Sequence, residues 1–128
     1  MTKLLVVDDE KNLRTLYQSE LSQEGYEVVV ALDGQEALRM LDIEKPDLIV
    51  LDIRMPGIDG LETMARLLSK NNRLPVILNT AYSAYRESFL SWSADSYVIK
   101  SQDLTELKAK IRQVLAKRAA EDRRPEPA

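Results

Sequence analysis

Short, nearly continuous apolar runs alternate along this chain with stretches whose apolar residues recur at helical spacing. Lys3 to Val7 is the first run; it ends on Asp8-Asp9-Glu10 and predicts a buried strand with acid at its carboxyl end. From Lys11 to Glu24, Leu13, Leu16, Tyr17 and Leu21 keep a 3.6-residue rhythm that Gly25 stops. Tyr26 to Leu32 predicts a second strand, and Asp33-Gly34 supplies an N-cap for a second helix with Ala37, Leu38 and Leu41 on one face, ending before Pro46. Leu48 to Leu51 is the third run, and Pro56 and Gly57 stop it just after Asp52, which is thereby left at the tip of a buried strand.

The second half repeats the alternation. Leu61, Met64, Ala65, Leu67 and Leu68 predict a third helix that ends at Asn71-Asn72. Pro75 to Asn79 predicts a fourth strand closed by Thr80, and Ser83 caps a short fourth helix carrying Tyr85, Phe89 and Trp92. Ser96 to Ile99 is a fifth strand closed by Lys100. A fifth helix is expected from about Asp103 to about Arg118, with Leu104, Leu107, Ile111, Val114 and Leu115 as its apolar stripe. Five strands alternating with five helices predict an α/β fold, a doubly wound parallel sheet covered on both faces with right-handed crossovers. The domain is expected over residues 1–118, with 119–128, rich in charge and proline, as a disordered tail or the start of a linker.

Composition narrows the chemistry. At 128 residues the chain is the size of one domain, and its 45% apolar and 30% charged residues are those of an ordinary soluble protein with no run long enough to span a bilayer. Without cysteine there is no disulfide framework, thiolate chemistry or thiolate zinc site, and a cytoplasmic setting is expected. A net charge of -3 offers no basic field for nucleic acid, and the absence of histidine removes the commonest general base. Carboxylates, hydroxyls and amines remain.

Those groups fall at strand ends: Asp8 and Asp9 after the first, Asp52 after the third, Thr80 after the fourth and Lys100 after the fifth. In an open parallel sheet the carboxyl ends of the strands form the ligand crevice, so all of them gather on one edge. Three carboxylates together repel one another unless a cation neutralises them, and Mg2+, which takes oxygen ligands and a phosphoryl oxygen, suits them best. Lys100 adds positive charge and Thr80 a hydroxyl donor, so these are the parts of a phosphoryl-transfer site with Asp52 as nucleophile. Taken singly each has a plainer reading: Asp9 as an N-cap, Asp8 as a solvated acid, Lys100 as a surface lysine, Thr80 as a backbone-bonded hydroxyl, Tyr97 as one side of a half-buried strand.

Asp8-Asp9, Asp52 within Leu-Asp-Ile-Arg-Met-Pro-Gly-Ile-Asp-Gly, Asn79-Thr80-Ala81-Tyr82 and Tyr97-Val-Ile-Lys100 together resemble the receiver domain of two-component response regulators, over about residues 2–118. The resemblance implies a flavodoxin-like three-layer sandwich with strand order 2-1-3-4-5. It implies Asp52 as phosphoacceptor, with Asp9, Asp52 and the backbone carbonyl of Arg54 as Mg2+ ligands, Mn2+ as an alternative ion, and Asp8 acting on the ion through water. Thr80 and the Ala81 amide would donate to the phosphoryl group, Lys100 would pair with its remaining oxygen, and Tyr97 would be a switch aromatic that follows Thr80. A histidine kinase or phosphotransfer protein would be the donor. A downstream partner or output domain would read the face made by helix four, strand five and helix five, from a monomer or a phosphorylation-dependent dimer. Neither membrane nor direct nucleic-acid contact is implied, and no enzymatic turnover of an external substrate.

Two positions depart from the pattern. Proline usually follows the lysine, often with a cis bond; here it is Ser101, so the Lys100-Ser101 bond is either cis at a cost of about 2.5–4 kcal/mol or trans with Lys100 aimed differently. Ser93-Ala94-Asp95 stands where Gly-Ala-Asp is common. A pseudo-receiver that ignores phosphate is therefore a rival reading, as is a phosphatase of the haloacid dehalogenase type, whose second aspartate would stand where Arg54 does.

Overall fold

The structure, a computed structural model, describes residues 1–52, 60–71, 73–81 and 94–122. Five parallel strands, β1 (Lys3–Val7), β2 (Glu27–Ala31), β3 (Leu48–Leu51), β4 (Val76–Thr80) and β5 (Ser96–Ile99), form one sheet in the order β2-β1-β3-β4-β5. The described helices are α1 (Lys11–Gln23), α2 (Gly34–Glu44), α3 (Gly60–Lys70) and α4 (Thr105–Asp122). The short helix expected from Ser83, with Tyr85, Phe89 and Trp92, lies outside the described residues, so α4 is the fifth helix of the sequence reading.

Why the strands read as unbroken apolar runs is plain from where alternate residues go. Leu5, Val7, Ile49, Leu51, Val76 and Leu78 face Ala37 and Leu41 of α2 and Met64 and Leu67 of α3. Leu4, Val6, Leu48, Val50, Ile77 and Val98 face Tyr17 and Leu21 of α1 and Leu107, Ile111 and Val114 of α4. A strand buried on both faces has no polar alternation to show. The ladder is in register from end to end, with Val7 opposite Ala31 and Leu51, Leu51 opposite Leu78, and Thr80 opposite Ile99. The carboxyl ends of β1 and β3 are thus level, and β4 and β5 run two residues further on the same edge.

Local chemistry sets the helix limits. Gly25, at φ 96°, takes the left-handed turn after α1. The Asp33 carboxylate accepts the Glu36 amide at 2.8 Å and caps α2, as Asp33-Gly34 predicted. Lys45 adopts φ 48° after α2, directly before Pro46. At Gly34 a glycine is required for space, since a Cβ there would land on the hydroxyl of Thr63 where α2 and α3 pack. β2 is one residue shorter at each end than the expected Tyr26 to Leu32, β4 lies one residue later than the expected Pro75 to Asn79, and both ends of α4 differ from expectation. α4 begins at Thr105 because Asp103 instead caps it, accepting the Thr105 amide at 3.0 Å, and it runs on to Asp122, past the expected end near Arg118. Ala119, Ala120 and Glu121 are good helix formers, and Arg118 is held by Asp95 at 3.0 Å.

Candidate functional site

Strand ends on one edge of the sheet bring the candidates together. Asp8 follows β1 and Asp52 follows β3; their amides donate to Ala31 and Val7 carbonyls, both at 3.1 Å, so the ladder's last rungs fix their backbones. Carboxylate oxygens of Asp8, Asp9 and Asp52 lie within 4.8 Å of one another. Asp8 and Asp52 are buried and Asp9 is exposed, so the cluster is a pit with one solvent-facing wall. Asp9 is not the N-cap of α1: that position is Glu10, which makes no side-chain cap, while the Glu10 amide donates to Asp8 at 2.9 Å. Arg14, one turn into α1, donates to the Asp8 carbonyl at 2.8 Å and braces the β1 end from outside.

Lys100 closes the cluster. Its Nζ lies 2.7 Å from Oδ2 of Asp8 and 2.7 Å from Oδ2 of Asp52. No cis peptide bond occurs among the described residues, so Lys100-Ser101 is trans and the lysine still reaches both carboxylates. Proline is not needed to aim it. Burial works against the ammonium, but the hydrogen bonds it donates to both carboxylates outweigh it and hold the Lys100 pKa well above the ordinary lysine range. Burial likewise pushes the Asp8 carboxyl up, opposed by the hydrogen bonds from Lys100 and the Glu10 amide.

Thr80 is the last residue of β4 and fully buried; its carbonyl accepts the Lys100 amide at 2.7 Å, so hydroxyl donor and ammonium sit on adjacent, bonded strand ends. Ala81 follows it, exposed. Tyr97 is 6% exposed and packs in the α2/α3-side core, so its ring is turned inward. Arg54 and Tyr82 lie outside the described residues. Sequence reasoning gave no role to Asn79 and Tyr17, which lie beside the site and hydrogen-bond each other at 3.0 Å. The signal was present, in that Asn79 is an amide inside an otherwise apolar run, but its partner is 62 residues away.

The set fits a hard divalent cation. Three carboxylates meet one ammonium among the described residues, a formal charge of -3 + 1 = -2, and all the donors are oxygens. Neutralising two negative charges in a partly buried pit is what Mg2+ does when it binds beside a phosphoryl group.

Known proteins place the chain. The family model for the response regulator receiver domain matches residues 4–112. The alkaline phosphatase synthesis transcriptional regulatory protein PhoP of Bacillus subtilis is 39% identical over 115 residues, 88% of this chain and 48% of that protein. A probable transcriptional regulator, ycf27, of Cyanophora paradoxa is 44% identical over the same shares. The chain therefore spans about half the length of these curated relatives. Among solved structures, the response regulator TrrA of Thermotoga maritima in complex with Mg(2+)-BeF superposes with a TM-score of 0.84 at 47% identity, covering 89% of this chain and 99% of that one. TrrA in complex with the histidine kinase ThkA gives a TM-score of 0.83 at 48% identity, over 90% and 99% of the two chains. With the strand order, the acidic cluster and a family match over most of its length, the chain belongs to the receiver domains of two-component response regulators.

Proposed function

We propose that Asp52 accepts a phosphoryl group from the phosphohistidine of a histidine kinase or phosphotransfer protein, in a Mg2+-dependent reaction. The observation that carries this reading is the bridging of Asp8 and Asp52 by one ammonium at 2.7 Å beside a third carboxylate. Asp9 and Asp52, with the Arg54 carbonyl, would hold the ion, and Asp8 would act on it through water. Mg2+, or Mn2+ in its place, supplies positive charge that offsets repulsion between the carboxylate and the incoming phosphoryl oxygens.

The remaining work falls to this chain's side chains. An Asp52 carboxylate oxygen attacks phosphorus; the new O–P bond forms as the P–N bond to the donor imidazole breaks, and the bonding pair returns to that nitrogen. Lys100 and the Thr80 hydroxyl neutralise charge on the transferred oxygens, and the Ala81 amide donates to one of them. The acyl phosphate ends by attack of water, which regenerates the Asp52 carboxylate and releases phosphate. Tyr97 would couple Thr80 to the face of the fourth predicted helix, β5 and α4, read by a downstream partner or an output domain, from a monomer or a phosphorylation-dependent dimer. No described helix is long and apolar enough to cross a membrane, which agrees with work in the cytoplasm.

The pseudo-receiver reading drew its support from Ser101, and Lys100 reaching both carboxylates over a trans bond removes that support. The proposal is tested by incubating wild type and Asp52→Ala with phosphorylated kinase or a small acyl phosphate. Wild type should take an acid-labile, Mg2+-dependent label and Asp52→Ala none; full labelling of the variant would overturn the assignment.

A further inference from the structure

We infer that Tyr17 is a positioning residue for the phosphoryl site, acting through Asn79 on the end of β4. This rests on the phosphoacceptor reading of Asp52 and deepens it. Asn79 projects to the α1/α4 side of the sheet, where its neighbours on the same face are Ile77 and Val98, and it is 3% exposed. A buried amide in such surroundings is costly unless bonded. Its Nδ2 donates to the Tyr17 hydroxyl at 3.0 Å, and Tyr17 is itself 1% exposed on the inner face of α1. The pair is thus a polar bolt through an apolar layer, from the middle of a helix to the penultimate residue of a strand.

Its place gives it a function that an apolar pair would lack. The next residue is Thr80, whose carbonyl accepts the amide of Lys100 at 2.7 Å. A bolt at Asn79 therefore fixes the end of β4, which carries Thr80 and to which the backbone of Lys100, past the end of β5, is bonded. Apolar side chains could fill the same volume, but they resist small rotations of a strand end less than a directional hydrogen bond does. Burial also keeps the Tyr17 phenol protonated, so the hydroxyl stays a neutral acceptor for Asn79 at working pH. α1 is anchored in turn, because Lys108 of α4 pairs with Glu20 at 3.0 Å and Glu24 at 3.3 Å. The bolt is fastened to a braced helix.

The test separates positioning from mere stability. Tyr17→Phe, Asn79→Leu and the double variant are made in the full chain, and acetyl phosphate is the phosphodonor. Measured for each are the melting temperature, the Mg2+ dissociation constant, the saturating labelling rate and the donor concentration at half-saturation. Both single variants should label more slowly at saturation, on the order of tenfold, because misplaced donors lose transition-state charge stabilisation. Mg2+ affinity should stay within about twofold, since the carboxylates are held by other rungs. Pairing two apolar groups should restore the melting temperature in the double variant, as apolar replacement of both partners is nearly neutral, while its labelling rate stays low. Recovery of rate together with stability would reduce the pair to a packing element and overturn the proposal, as would single variants that label at the wild-type rate. A wild type that takes no label at Asp52 would overturn the phosphoacceptor reading and this inference with it; unchanged labelling of the variants beside a labelled wild type sinks this inference alone.

Discussion

Lys100 is both counterion and competitor. Its ammonium holds two buried carboxylates together, yet in the proposed site the same carboxylates would face the divalent cation. Removing one partner of a buried charged network leaves the others uncompensated, at a cost of about 3–5 kcal/mol. Lys100→Met should accordingly lose stability on that scale in metal-free buffer, and added Mg2+ should raise its melting temperature more than it raises that of wild type. Equal shifts in thermal denaturation would mean that the lysine and the ion do not share the carboxylates. How far the sequence exposed this residue is instructive. Its position after β5 marked it as a site residue, but its aim depended on the Ser101 peptide bond, which no local pattern decides; only the assembled strand ends show that a trans bond suffices.

Among the elements, α2 and α3 are locked by a contact no pattern revealed. Asp33-Gly34 was legible as a cap because its chemistry is local. Gly34 has a second reason to be glycine, the Thr63 hydroxyl of α3, and that contact is set by packing across the domain. Thr63 is fully buried and its hydroxyl has no hydrogen-bond partner among the described residues, so the contact with Gly34 is one of close approach. Gly34→Ala should destabilise by about 1–3 kcal/mol through overpacking. Adding Thr63→Ala should recover most of that loss, a coupling readable in a denaturant double-mutant cycle. Additive losses would show that the two residues do not meet. Strand positions were read to within a residue for the opposite reason: an apolar run between turn residues is a local signal, whereas the ends of α4 shifted further, where Asp103 and the distant ion pair Arg118–Asp95 intervened.

For the whole molecule, the acidic pit ties stability to pH. Burial raises the Asp8 pKa above its ordinary 3.8, so in the window just above that value the folded state binds more protons than the unfolded chain. Stability therefore falls as pH rises through the window, and the ionised group remains a burden at neutral pH. Asp8→Asn should be more stable than wild type near neutral pH, with the gain shrinking in mild acid, as urea unfolding at the two conditions would show. A gain that is constant with pH would place its origin in packing rather than charge. The cluster itself was legible because two strand ends carried three acids between them, Asp8 and Asp9 after β1 and Asp52 after β3; the balance of burial against Lys100 was not, since it depends on how deep the pit lies.

The alternation of β4 has one more consequence. Leu78 belongs to one layer and Asn79 to the other, so a slip of β4 by a single residue would drive the amide among the side chains of α2 and α3 and expel Leu78 into the opposite layer. The strand is therefore an all-or-none rung, unable to translate by small steps. Whatever happens at Asp52 can be answered only by side chains turning in place and by backbone past the last rung, Thr80 opposite Ile99. The sheet is the fixed anvil, and the signal has to be written at its rim.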